Sequence, residues 1–146
     1  MKRLITGLIL TPAFFWLVVY APPLAFLGGL AAVGCFCLWE FLGIAAATHP
    51  RIPDPRRFWP AFVAGLLLLI LPSQLWMLMV VTALAVLVFF TWRGPLEAVL
   101  PMTSAVVFGV IYTFGPWRAA AELRASSPWW LLFAVAVNWV GDTFAY

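Results

Sequence analysis

The sequence predicts an all-α protein, a polytopic transmembrane helix bundle with about six membrane segments. Of its 146 residues, 66% are hydrophobic and only 9% are charged, whereas soluble domains carry about 25% charged residues. Nine Trp and thirteen Phe add aromatic surface of the kind that contacts lipid and lies at the membrane interface. The apolar residues form long runs separated by short segments that contain Pro or charged residues, as expected for successive membrane-crossing helices.

The first two segments are apolar runs joined by an uncharged turn. Residues 4–20 follow a basic pair, and this run is longer than the apolar core of a signal peptide, which favours an uncleaved first span. The turn at residues 21–23 contains two prolines and ends the run. Residues 24–47 form the second segment, which is about 36 Å long as a helix and therefore crosses a bilayer with tilt.

An aqueous loop separates the second segment from the third. Residues 48–57 contain three prolines, which prevent a continuous helix. Residues 58–71 are apolar but cover only about 21 Å as a helix, so whether they cross the bilayer fully stays open, and a re-entrant third segment would invert every later assignment. Residues 75–92 form a longer fourth segment, which ends before a Gly-Pro pair.

Two further segments complete the chain. Residues 96–117 form the fifth, with Pro101 near its start, and residues 118–128 are predicted to be a short polar connection. Residues 129–146 form the sixth segment, which stops inside its own apolar run without a polar flank to anchor it at the interface. We therefore expect a single transmembrane domain over residues 1–146 that is the N-terminal part of a longer protein, rather than a chain that ends naturally at Tyr146.

The basic residues act as topology signals, because a net charge of +3 is too small and too scattered to indicate a nucleic-acid partner. A cytoplasmic N-terminus puts most of them on the cytoplasmic side, namely Lys2, Arg3, Arg51, Arg56, Arg57 and Arg93, and leaves Arg118 and Arg124 outside. Because cytoplasmic loops are enriched in Lys and Arg, this orientation is favoured. It places Asp142 toward the cytoplasmic end of the sixth segment.

Asp142 is the main candidate for a functional residue, because an acidic side chain within an apolar membrane helix is costly. Asn138 lies four residues earlier and shares its helix face, and Gly141 beside them allows close approach of a ligand. Carboxylate and amide oxygens suit Mg²⁺ or another hard cation in a phosphate-handling site. The alternative from residue types alone is a polar pair that hydrogen-bonds a neighbouring helix.

Weaker candidates lie around the aqueous loop. Glu40, near the inner end of the second segment, neutralises an arginine or simply lies at the interface. Arg51, Arg56 and Arg57 are suited to holding an anionic lipid or a phosphate group. A role as topology anchors accounts for these arginines equally well.

Three stretches resemble the bacterial phosphatidate cytidylyltransferase (CDP-diacylglycerol synthase) family. Residues 2–8 are similar to its basic start, residues 38–41 to the Trp-Glu-aromatic end of its second span, and residues 141–146 to its Asp-Ser/Thr-x-Ala-Tyr element. The likeness covers the whole chain but only about half of a typical member. It does not include the family's lysine-rich loop or its acidic C-terminal signature, so these residues alone are expected to be inactive.

The resemblance implies a nucleotidyltransferase of phospholipid synthesis in the bacterial inner membrane. Such an enzyme transfers the cytidylyl group of CTP to phosphatidate with Mg²⁺, giving CDP-diacylglycerol and diphosphate. Asp142 matches the family acid and would hold metal or phosphate, with Asn138 as an orienting side chain. The implied partners are phosphatidate, CTP and membrane lipids, with a homodimer left open.

Two rival functions remain at this stage. A CTP-dependent lipid-alcohol kinase of the dolichol or phytol type has a similar aspartate-containing helix, but it phosphorylates a hydroxyl group. A non-enzymatic membrane subunit or small transporter would use Asp142 as a proton or cation site.

Overall fold

All regular structure in the described part of the chain is helical, as predicted. The computed structural model describes residues 2–48, 54–71 and 75–145, so the predicted roles of Arg51 and Tyr146 lie outside the described residues. The described ranges contain six α-helices and one 3₁₀ turn at Pro55–Arg57. The α-helices are α1 (Lys2–Val19), α2 (Pro23–Thr48), α3 (Trp59–Ile70), α4 (Leu75–Arg93), α5 (Leu96–Ser126) and α6 (Pro128–Phe144).

Each predicted apolar segment corresponds to one of these helices, and two of them are long and apolar enough to cross a membrane. These two are α2, with 26 residues, and α5, with 31. By contrast α3 has 12 residues, which corresponds to about 18 Å along its axis. The number of helices that span a bilayer therefore stays a prediction.

The prediction of a polar connection over residues 118–128 is wrong. Helix α5 continues through Pro116 to Ser126, because the stretch after this proline is rich in Ala, Leu, Glu and Arg, which are strong helix formers. Only Ser127 separates α5 from α6. Its hydroxyl oxygen accepts a hydrogen bond from the backbone N–H of Trp129, and Pro128 occupies the first turn of the new helix.

The contacts divide the chain into two packing units. Unit 1 comprises the chain up to Gly29 together with the chain from Ala119 onward, and unit 2 comprises Leu30–Arg118. In unit 1, α1 packs against α6, and the ring centroids of Phe14 and Trp139 are 6.5 Å apart.

Arg124 organises the packing of unit 1. Its Nε donates to the carbonyl oxygen of Val18 at 2.7 Å, and its Nη2 donates to the carbonyl oxygen of Ala21. The guanidinium carbon lies 4.3 Å from the ring centroid of Phe26. Because the last carbonyl groups of a helix have no intrahelical donor, Arg124 stabilises the end of α1 while its charge lies over an aromatic face.

Phe114 forms the centre of unit 2. Its side chain is fully buried, and it contacts the backbone of α2 at Gly34 and that of α3 at Gly65. Farther along α2, the ring of Phe41 lies 6.1 Å from that of Phe108. Since residues later in α2 meet residues earlier in α5, these two helices are antiparallel.

Helix α3 runs antiparallel to α4. The ring centroid of Phe58, just before α3, lies 5.0 Å from that of Phe89 near the end of α4. At the other end of α3, the carbonyl oxygen of Leu69 accepts a hydrogen bond from Nη1 of Arg118 at 2.9 Å. Whether α3 crosses the bilayer or is re-entrant stays a prediction, because a short antiparallel pair of helices fits both.

Replacing Gly65 with Ala is expected to destabilise unit 2. A Cβ atom at this position would lie 2.3 Å from the Phe114 ring, which is buried and cannot move aside. Overpacking of this kind costs about 1–3 kcal/mol, and it should lower the midpoint of thermal unfolding in detergent.

Gly28→Ala is the matched control, because a Cβ atom there meets nothing within 4 Å. Without a steric clash, a Gly to Ala change within a helix is neutral or stabilises by up to about 1 kcal/mol. Equal unfolding midpoints for the two variants would contradict the close packing of Phe114 against α3.

Candidate functional site

One side of α6 carries the polar pair singled out in the sequence. Leu131, Val135, Asn138 and Asp142 follow each other at intervals of three and four residues, so they lie within an arc of about 60° around the helix axis. Leu131 is buried in unit 1 and Val135 is half-buried, whereas Asn138 and Asp142 are exposed. The polar pair therefore extends the stripe with which α6 packs inward.

The opposite side of α6 is apolar and exposed. Its members are Phe133, Val137, Val140 and Phe144, all more than half exposed. The two sides thus differ in character, with apolar residues presented outward and the amide and carboxylate placed on the stripe that begins in the core. Polar side chains of membrane helices face the bundle interior or a water-filled cavity in the same way.

The carboxylate of Asp142 is accessible. It makes no hydrogen bond or ion pair with the residues that the structure describes. A Cβ atom added at the adjacent Gly141 would meet nothing within 4 Å, so the approach to this part of α6 is open. An exposed carboxylate with an amide one turn away is able to bind a cation or to accept hydrogen bonds from a ligand.

The side chains of Asn138 and Asp142 are suited to form part of a magnesium site. Mg²⁺ commonly binds one or two carboxylates together with substrate phosphates and retained water, and Asp142 offers one such carboxylate. No group of three or more His, Cys, Asp or Glu side chains within the described ranges is arranged to hold a metal. Of the ligands such a site needs, the described part of α6 could contribute the carboxylate of Asp142.

The second candidate region lies in unit 2, between the second half of α2 and the 3₁₀ turn. Glu40 is exposed there and does not neutralise an arginine of the described chain; Arg56 pairs with Asp54 instead. The Nε of Arg56 donates to both carboxylate oxygens of Asp54 at 2.9 and 2.8 Å. The same guanidinium lies 5.2 Å from the ring centroid of Trp39.

Asp54 also begins the 3₁₀ turn, since its Oδ1 accepts a hydrogen bond from the backbone N–H of Arg56 at 3.0 Å. The hydrogen bonds from Arg56 hold the pKa of the Asp54 carboxyl below its ordinary value, and the carboxylate raises the pKa of Arg56 in return. A lowered carboxyl pKa means that the pair is stable at neutral pH and is lost only as the pH falls through the pKa of Asp54.

The three loop arginines therefore differ in what they can bind. Arg56 is engaged by Asp54 and Trp39, and Arg51 lies outside the described residues. The side chain of Arg57 is exposed and makes no hydrogen bond or ion pair within the described part of the chain. Of Arg56 and Arg57, only Arg57 has a guanidinium group available to bind an anion.

Sequence reasoning missed the structural roles of Asp54 and Arg124. Asp54 had a local signal, because Asp followed by Pro is the pattern of an N-cap and first helical position. Arg124 had none, because its acceptors lie more than one hundred residues earlier in the chain.

Comparison with known proteins identifies the family. A model of the cytidylyltransferase family matches residues 1–146, which is the whole sequence. No curated protein and no solved structure matches the chain. The family match agrees with the resemblance carried by the two ends of the sequence and by the Trp39–Phe41 stretch, and it supports a nucleotidyltransferase that uses CTP. The chain belongs to the cytidylyltransferase family.

Proposed function

We propose that the protein transfers the cytidylyl group of CTP to phosphatidate, forming CDP-diacylglycerol and diphosphate. The observation that carries this proposal is the accessible carboxylate of Asp142 on the inward stripe of α6, within the stretch that resembles the family's acidic element. A lipid substrate also suits the chain, because a lipid phosphate reaches an acid on an apolar helix without leaving the membrane.

The reaction occurs at a membrane in this proposal. The six helices cross or enter the bilayer of the bacterial inner membrane, with the N-terminus and the end of α6 on the cytoplasmic side. The length of α2 and α5 and the apolar outward side of α6 support a membrane location. CTP then approaches from the cytoplasm, while phosphatidate approaches laterally from the inner leaflet.

The chemistry is a substitution at phosphorus. A phosphate oxygen of phosphatidate attacks the α-phosphorus of CTP, a new P–O bond forms, and the bond from that phosphorus to the bridging oxygen of the β-phosphate breaks to release diphosphate. Bound Mg²⁺ would neutralise charge on the reacting phosphates. Asp142 would hold this ion, and the Asn138 amide would orient the carboxylate from one turn away.

The substrate assay separates this proposal from its rivals. Membranes containing the product of the complete gene are expected to convert CTP and phosphatidate to CDP-diacylglycerol when Mg²⁺ is present. Product is measured by incorporation of radiolabelled cytidine into lipid. Phosphorylation of an added lipid alcohol without this incorporation would establish the kinase instead, and neither product would favour the non-enzymatic alternative.

Asp142→Asn is expected to lower turnover by more than about a hundredfold. Removing a side chain that only hydrogen-bonds a metal ligand costs up to about a hundredfold in activity, and loss of a direct ligand should cost more. Asparagine keeps the size of the side chain and removes its charge, so membrane insertion and expression should not change.

The matched control for this substitution is Glu97→Gln. Glu97 is an exposed carboxylate in the first turn of α5, and its replacement should leave the rate within about twofold of wild type because it touches no part of the proposed site. A wild-type rate in Asp142→Asn would remove this residue from the reaction.

Membrane orientation is testable with single cysteines in a chain whose Cys35 and Cys37 are replaced by Ala. A cysteine at Ser126 should react with a membrane-impermeant maleimide in intact cells, because the turn between α5 and α6 faces outward in this proposal. A cysteine at Thr48 should react only after permeabilisation. The reverse pattern would invert the proposed topology.

A further inference from the structure

A second site lies at the opposite end of α6 from Asp142. A pocket of about 370 Å³ in unit 1 is lined by Pro23, Phe26, Leu27, Arg124, Ala125 and Pro128, among others. About 21 Å of helix separates Pro128 from Asp142, so this pocket is not part of the proposed reaction site. Its volume falls within the range of ordinary small-ligand sites.

The pocket combines an apolar wall with one positive charge. Phe26, Leu27 and the two prolines form the wall, and Arg124 contributes the charge. Two of the five guanidinium N–H groups donate to backbone carbonyls of unit 1, and three remain available. No acidic side chain is among the described residues that line the pocket.

Three helix ends line the pocket. Pro23 and Pro128 begin α2 and α6, where the backbone carries a partial positive charge, and Ala125 lies in the last turn of α5, where it carries a partial negative charge. The positive charge of the pocket therefore comes from Arg124. Arg124 also occupies the carbonyl of Val18 in the last turn of α1 and that of Ala21 in the following turn, which would otherwise repel an anion. The pocket is therefore suited to a negatively charged group attached to an apolar body.

The surroundings indicate a membrane interface. Tyr20 precedes the turn from α1 to α2, and Trp129 and Trp130 follow the turn from α5 to α6; all three side chains are more than half exposed. Exposed Tyr and Trp at helix ends are typical of the level at which lipid headgroups lie.

We propose that this pocket binds the phosphate of an anionic membrane phospholipid in the outer leaflet, an inference that rests on the proposed membrane location but not on the proposed reaction. The three free N–H groups of Arg124 donate to the phosphate oxygens, and Phe26 and Leu27 contact the glycerol and the first acyl carbons. A net negative lipid is favoured over a zwitterionic one, because no carboxylate among the described lining residues is there to pair with a headgroup ammonium.

The test uses native mass spectrometry of the full chain in detergent, with phosphatidylglycerol and phosphatidylcholine of identical acyl chains as probes. Wild type is expected to bind phosphatidylglycerol about tenfold more tightly than phosphatidylcholine. Arg124→Gln should weaken phosphatidylglycerol binding about tenfold or more, as expected for loss of hydrogen bonds from a charged donor. Arg93→Gln is the matched control, because it removes the same charge from an exposed arginine that does not line the pocket.

A second variant keeps the hydrogen bonds of Arg124 and fills the pocket. Ala125→Phe should also weaken phosphatidylglycerol binding about tenfold or more by occupying the space, whereas Ala119→Phe, on another side of α5, should not. If Arg124→Gln fails to fold, Ala125→Phe still tests whether the lipid binds in this pocket.

Three results would overturn the proposal. Equal binding of the two lipids by wild type would remove the preference for an anion. Unchanged phosphatidylglycerol binding in Ala125→Phe would show that Arg124 acts on the fold alone. A wild-type dimer that Ala125→Phe dissociates, without any loss of bound lipid, would assign the pocket to a second copy of the chain.

Discussion

Helices in apolar surroundings must satisfy the carbonyl groups at their ends, and two arginines of α5 meet this requirement. Arg118 donates to the carbonyl of Leu69 in the last turn of α3, within unit 2. Arg124 donates to the carbonyl of Val18 in the last turn of α1 and to that of Ala21 in the turn after it, within unit 1. An unpaired buried carbonyl is costly, so these bonds stabilise the ends of α1 and α3. Both arginines lie beyond Pro116, in the part of α5 that the sequence did not predict to be helical.

The same contacts change the meaning of the charge pattern. In the sequence, Arg118 and Arg124 are the basic residues that oppose a cytoplasmic N-terminus. In the structure each donates to backbone acceptors of its own unit, so both have a structural role that is independent of membrane orientation. The two described arginines of the loop after α2 also differ in their contacts. Arg56 is held by Asp54 and by the face of Trp39, while Arg57 keeps its charge available.

The candidate site depends on a simple feature of α6. Its stripe begins with the buried Leu131 and ends with the exposed Asn138 and Asp142, whereas its other side is apolar throughout. The carboxylate of Asp142 thus lies on the helix side opposite Phe133, Val137 and Val140, and it is exposed. An accessible carboxylate with an amide one turn away is the feature on which the proposed role of α6 rests.

The sequence by itself determined the helical class, the approximate bounds of the six helices and the pairing of Asn138 with Asp142, because hydropathy runs and helical periodicity are local properties. It also carried enough of the family's motifs to indicate the family. The tertiary structure decided the extension of α5, the antiparallel course of α3 and the placement of Phe114 between two glycines. It alone brought Arg124 to the end of α1. These features depend on contacts between residues far apart in the chain, where neither propensity nor spacing contains the information.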